Sequence, residues 1–298
     1  MTQVLNMNYN VNKKNPVVFV STGGCSNLTA AETSIDFAKH NIVDIELSGG
    51  KYSHDLLTRL VELSENINFR VHNYFPPPKI PFVFNLASGN TDIASSSIEH
   101  VKKSLELANK LGSSVYSFHA GFLIDPKVNE LGKKIGKKTI SNRSEALERF
   151  ISRVKTLASE ALKTDSKLLI ENNVLSAANL ESFGENPLLL TSPDEIKVVM
   201  SEMPKNVSLL LDVAHLKVSA HSLNFCPKEA HRELLPYINA YHLSDNDGTE
   251  DSNMPFNENS WFWADMKTDL NYYSVEVYRQ PIVNLKSQQN LVRKMLEI

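Results

Sequence analysis

The sequence predicts an α/β fold, a (β/α)8 TIM barrel in a single domain. Eight short apolar runs recur along the chain, with longer segments of helical spacing between them. The runs are too continuous to belong to strands with one wet face, so they read as a parallel sheet covered on both sides. Eight such units in about 250–300 residues match a closed barrel. A doubly wound open sheet would announce itself by a dinucleotide-type glycine fingerprint after a strand. STGGCS, at 21–26, is too short for one.

The elements follow in order. MTQVLNMNYNVNKKNP (1–16) is polar and reads as a loosely ordered extension. The first strand is VVFVST (17–22), followed by the helical segment TAAETSIDFAKH (29–40), which opens on a threonine able to cap free amides. VDIELS (43–48) is followed by HDLLTRLVELSEN (54–66), and FRVHNY (69–74) by SIEHVKKSLELANKLG (97–112), which ends in a glycine C-cap. SVYSFHA (114–120) leads to RSEALERFISRVKTLASEALK (143–163), and KLLIEN (167–172) to SPDEIKVVMSEM (192–203). VSLLLDV (207–213) precedes KEAHRELLPY (228–237); INAYHLS (238–244) and YSVEVYR (273–279) are the last two strands, and NLKSQQNLVRKMLEI (284–298) is the final helix.

Composition narrows the function classes. The chain has 298 residues, 42% hydrophobic, with a formal net charge of −3. That charge gives no global attraction to nucleic acid or to anionic membrane. The N-terminus lacks the apolar core of a signal peptide, and no run approaches a membrane span. Two cysteines, Cys25 and Cys226, are too few for a disulfide framework, so a reducing cytoplasm is the expected location.

The strand ends carry the chemistry. Glu46 ends the second strand, His72 the third, His119 the fourth and Glu171 the fifth; Asp212 and His215 close the sixth, His242 the seventh and Glu276 the eighth. In a barrel those edges converge on one mouth, where barrel enzymes keep their active sites. Taken singly, each residue has an ordinary use: an imidazole in a structural hydrogen bond, a glutamate in an ion pair, Asp212 as a helix cap. Together they would be costly to bury without partners, and a divalent cation supplies one. Glu171, Asp212, His242 and Glu276 are the expected ligands.

The series HNY (72–74), FNLAS (84–88), SFHAG (117–121), LLIENN (168–173), LLDVAH (210–215), YHLSDNDG (241–248) and VEVY (275–278) resembles the xylose isomerase-like barrel superfamily. That group contains sugar and sugar-phosphate isomerases and epimerases, and also zinc apurinic endonucleases of the endonuclease IV type. The isomerase branch implies one metal on Glu171, Asp212, His242 and Glu276. It also implies that Glu171 and Glu276 exchange a proton with the substrate carbon while His215 contacts substrate oxygens. The endonuclease branch implies more metal: a second ion shared by His72, His119 and Glu171, and a third held by His215, Asp251 and a histidine two residues further on. That last position is Asn253, a poor zinc ligand.

The expected function is therefore a divalent-metal-dependent isomerase or epimerase of a sugar or sugar phosphate, working through an enediolate. Endonuclease-like phosphodiester hydrolysis and a related sugar or polyol dehydratase are the alternatives. Glu171 and Glu276 are the expected proton-transfer pair. His215, His119, His72 and Trp261 are expected to face the substrate, although core packing beneath the loop after the seventh strand explains Trp261 as well as stacking on a sugar does. The imidazoles favour Mn, Co, Zn or Fe over Mg. Lys133, Lys134, Lys137 and Lys138 read either as a lid for an anionic substrate or as a solvated loop. Lys217, just past a strand, reads either as reaching the mouth or, as is usual there, as solvated. The expected partner is a small carbohydrate rather than nucleic acid or membrane, and no segment announces a subunit interface.

Overall fold

The structure is a computed structural model and describes residues 16–25, 27–130, 136 and 138–298. The expected N-terminal extension, up to residue 15, and Lys133, Lys134 and Lys137 lie outside the described residues. Eight parallel strands close in chain order: β1 (Val18–Ser21), β2 (Asp44–Leu47), β3 (Asn68–His72), β4 (Val115–His119), β5 (Lys167–Glu171), β6 (Val207–Asp212), β7 (Ile238–Leu243) and β8 (Tyr273–Val275). β8 pairs back onto β1 through Val18 with Tyr273 and Val20 with Val275. All eight expected strands are present, and the fold is the (β/α)8 barrel.

Side chains of a strand alternate between faces, so inward positions recur every second residue. Phe19, Leu169, Leu210, Ala240 and Tyr272 pack together as an inner apolar cluster. The Arg70 guanidinium lies 4.9 Å from the Phe19 ring centroid and 5.9 Å from that of Tyr272. Two positions beyond Leu169, Leu210 and Ala240 come Glu171, Asp212 and His242. Alternation therefore turns these three the same way as the apolar cluster, one level nearer the C-terminal edge. The larger core lies outside the barrel wall, between strands and helices, and takes in Phe37, Leu60, Val101, Phe150, Ile196 and Val292.

Nine helices lie among the described residues: α1 (Ala30–Lys39), α2 (Leu56–Leu63), α3 (Thr91–Lys110), α4 (Arg143–Leu162), α5 (Ala177–Phe183), α6 (Pro193–Ser201), α7 (Val213–Leu223), α8 (Pro227–Leu234) and α9 (Ile282–Met295). Thr29 and Glu32 form a reciprocal capping box at the start of α1. α3 begins earlier than its apolar spacing implies, because the Asn90 side chain accepts from the amides of Asp92 and Ile93. α5 and α7 have no counterpart in the expected elements. α7 buries Val213, Ala214, His215, Leu216, Val218, Ser219 and Ala220, and a helix covered nearly all round shows no amphipathic stripe. α9 clasps the seam of the barrel: Gln289 Nε2 donates to the Val18 carbonyl at 2.7 Å, and Arg293 pairs with Asp44 at 3.1 Å.

Candidate metal centre at the barrel mouth

The strand register brings the site together. His119 lies opposite Glu171 across the β4–β5 pair, and Asp212 lies opposite His242 across β6–β7. Glu46, Glu171, Asp212 and His242 are fully buried, and Glu276, His72 and His215 nearly so. His119 is the open one, its side chain 27% exposed.

His242 is the hub. Its Nδ1 stands 2.9 Å from Glu171 Oε1 and 3.1 Å from Glu276 Oε2, and its Nε2 is 2.9 Å from Glu46 Oε2. Glu171 Oε2 is approached by His72 Nε2 at 3.3 Å and His119 Nδ1 at 3.1 Å. Neither imidazole satisfies that oxygen, which has no hydrogen-bond partner. Asp212 divides its two oxygens: Oδ1 accepts from the His215 amide at 2.7 Å and caps α7, while Oδ2 is buried and unpartnered. The capping and site readings of Asp212 thus hold together.

These charges govern one another. Burial pushes His242 toward neutrality, but Glu46, Glu276 and Glu171 outweigh it and hold its pKa well above the ordinary imidazole value. Burial raises the Glu276 carboxyl, and His242 overrides this and brings it down to about 2. Asp212 has no such help: burial, relieved only in part by His215, pushes its carboxyl up to about 8. His215 is held well above its ordinary value, because Asp212 and Asp251 outweigh its burial. Its Nε2 is 3.3 Å from Asp251 Oδ2, while its Nδ1 meets the Asn172 carbonyl at 2.9 Å. Burial lowers His119 to about 4, against the pull of Glu171.

The donor set fits a cation. Glu171, Asp212, His242 and Glu276 each offer a ligand atom, all lying within 4.8 Å of one another. Among the described residues the ion pairs of Glu46, Glu171, Asp212 and Glu276 are with histidines alone, and no lysine or arginine comes within 4.0 Å. The ionised Glu46, Glu171 and Glu276 and the orphaned oxygens of Glu171 and Asp212 are groups that a divalent ion would engage, with Asp212 giving up its proton to it. Two smaller groupings share Glu171, one with His72 and His242 and one with His119 and His215.

Not every expected residue arrives at the mouth. The Trp261 ring lies edge-on to His231 of α8 and to Phe262, packed against the outer core. The ring packs in this place because the WFW run folds over α8 and Phe262 is fully buried. Lys217 is not free in solvent either; it pairs with Asp245 at 2.7 Å. Asn253 lies in the left-handed region with φ 47, and its carbonyl accepts from the Tyr278 amide. Three contacts around the site carried no sequence signal. Glu46 ends a strand like the others, but its contact with His242 is invisible in spacing. Tyr272 donates to Glu46 Oε2 at 2.5 Å, and Tyr278 to Glu276 Oε1 at 2.7 Å. A Cβ on Gly23 would lie 2.2 Å from the Tyr278 hydroxyl oxygen, so the glycine makes room for that contact.

A closed parallel barrel with acids and imidazoles converging at its C-terminal mouth defines a TIM-barrel protein with an enzyme-like site. The family model of the xylose isomerase-like TIM barrel matches residues 34–280, and the chain belongs to that family. Among solved structures it is similar to a D-tagatose 3-epimerase-like protein (20% identity, TM-score 0.70, 94% of this chain and 97% of that one). It is also similar to an L-ribulose 3-epimerase (14%, TM-score 0.65, 95% and 94%) and to an AP endonuclease of family 2 from Brucella melitensis (12%, TM-score 0.60, 90% and 96%). At these identities the likeness shows the fold. None of the curated protein sequences matches the chain.

Proposed function

We propose that this protein is a divalent-metal-dependent isomerase or epimerase of a sugar or sugar phosphate. The observation that carries the reading is the meeting of Glu171 and Glu276, from β5 and from beyond β8, at one nitrogen of His242. Two carboxylates from different sides of the barrel then flank a single point, as proton removal and return at one carbon require. The 3-epimerase titles of the D-tagatose-like and L-ribulose neighbours support the same class.

A divalent ion held by Glu171, Asp212, His242 and Glu276 would supply positive charge against the negative charge that develops as a C–H beside a carbonyl is broken. The chain's own residues do the rest. His242 holds Glu276 in its ionised form at neutral pH, the form a general base must have. Glu171 supplies the second carboxylate, so a proton removed on one side can be replaced from the other. His215, fixed through Nδ1 by the Asn172 carbonyl, would turn its Nε2–H from Asp251 to a substrate oxygen. The His242 imidazole in the set, with His72 and His119 beside Glu171, favours Mn, Co, Zn or Fe over Mg.

The test is deuterium exchange from solvent into a panel of ketoses and ketose phosphates, with Glu276→Gln as control. Exchange lost in the variant supports the assignment; a folded, metal-loaded protein that exchanges no sugar proton removes it. The placing of His72 and His119 against Glu171 favours a second reading, phosphodiester hydrolysis with several zinc ions. Asn253 opposes it, since a neutral carboxamide is a poor zinc ligand at the position where that branch has a histidine. Three bound zinc ions and incision of an abasic oligonucleotide would establish that reading instead.

A further inference from the structure

Beneath the mouth runs a line of hydrogen bonds that the proposed chemistry does not use. Glu46 Oε2 is 2.9 Å from His242 Nε2 and 2.5 Å from the Tyr272 hydroxyl. That hydroxyl is 3.3 Å from Ser117 Oγ, which is in turn 2.9 Å from His72 Nδ1. All five side chains are buried. We propose that Glu46 is a positioning residue that sets the tautomers of two imidazoles, His242 directly and His72 through Tyr272 and Ser117. The inference rests on the metal-dependent reading above.

The direction of the line follows from its one pure acceptor. A carboxylate has no proton to give, so His242 Nε2–H and Tyr272 O–H both donate to the same Oε2. Tyr272 has then used its only proton, and its oxygen accepts from Ser117. Ser117 has used its own, and Oγ accepts from His72 Nδ1–H. Each imidazole is left with its other nitrogen, Nδ1 of His242 and Nε2 of His72, turned toward Glu171 at 2.9 and 3.3 Å. Glu171 Oε2 remains without a hydrogen-bond partner, so the His72 nitrogen is not donating to it. Lone pairs of nitrogen and oxygen converging on one space is the arrangement a cation needs. A proton bridges His242 to Glu171 until an ion displaces it. Carboxylates commonly orient a metal-binding imidazole in this way. Here one carboxylate would serve two.

Zn²⁺ affinity, measured by chelator competition, tests this in Glu46→Gln, Tyr272→Phe, Ser117→Ala and the last two combined. Imidazole ¹⁵N shifts of protein carrying one equivalent of Zn²⁺ give the tautomers. Glu46→Gln is expected to lose about 10–100-fold in affinity. Tyr272→Phe and Ser117→Ala each lose less, and the double variant loses no more than Tyr272→Phe alone, because a line cut once is already cut. His242 should carry its proton on Nε2 and His72 on Nδ1, with the His72 tautomer changing in both hydroxyl variants and the His242 tautomer in neither. Wild-type affinity in Glu46→Gln, losses that multiply in the double variant, or a His72 proton on Nε2 would each overturn the proposal. If Glu46→Gln does not fold, the two hydroxyl deletions decide alone. Expected tautomers without sugar exchange would leave the relay standing and remove the isomerase reading; sugar exchange with a neutral Glu46→Gln would do the reverse.

Discussion

Glu171 on β5 and His242 on β7 meet with 2.9 Å between Oε1 and Nδ1, although all of β6 separates their strands. Curvature of the closed sheet accounts for the reach, and the contact joins an anion to a proton that a metal must expel.

Metal binding should therefore release a proton. The His242 pKa is held well above its ordinary value, so at neutral pH the metal-free imidazole is charged and competes with the ion. Affinity is expected to climb with pH until that pKa is passed. Calorimetry of Zn²⁺ binding in two buffers of different ionisation enthalpy would show the proton, and identical heats would refute it. Glu171→Gln should weaken binding and remove the Zn²⁺-induced rise in melting temperature.

Acid should destabilise the fold through two histidines remote from this chemistry. Burial lowers both His100 and His231 to about 4; His100 stacks on Tyr74 and His231 Nε2 lies 2.8 Å from the Tyr241 hydroxyl. A histidine whose folded pKa is depressed contributes stability above its unfolded pKa of about 6.5, and that stability is lost as pH falls toward 4. The size is about 3 kcal/mol for each residue. Urea midpoints compared at pH 7 and pH 4.5 should fall steeply in the parent and less in His231→Gln; parallel falls would exclude His231 as a cause.

Gly23→Ala tests the seat of Tyr278. The added methyl would meet the Tyr278 hydroxyl and Ser48 Oγ, at 2.2 and 2.9 Å. Overpacking of this kind costs about 1–3 kcal/mol. Tyr278→Phe should keep the fold and lose a bond to a charged group, lowering turnover on the order of 10-fold or more. Full turnover in Tyr278→Phe would show that Glu276 needs no such partner.

Trp261→Ala is expected to lower stability by about 1–3 kcal/mol and leave KM unmoved, since the ring packs on His231 and Phe262. A raised KM at unchanged melting temperature would return Trp261 to the substrate.

Most of the barrel was legible because parallel strands are apolar throughout and end in polar residues at one edge. Glu171, Asp212, His242 and Glu276 could be read together for that reason. Trp261 misled because an aromatic in a long loop looks the same whether it stacks on a ligand or covers a helix. α7 was hidden by its own burial, and the role of Glu46, though not its place at a strand end, by a contact spanning 196 positions to His242. Tyr278 escaped notice because its value lies in a space left by Gly23, and an absent side chain has no periodicity.

The seam between β1 and β8, clasped by α9, also fixes when the site can exist. Glu276 follows the last strand, so a ribosome has delivered nearly every other donor before the cage can close. Until then the growing polypeptide offers scattered acids and imidazoles to any passing ion. Loading with the proposed ion would thus be an event of the finished molecule, decided by whichever cation the surrounding fluid holds at release.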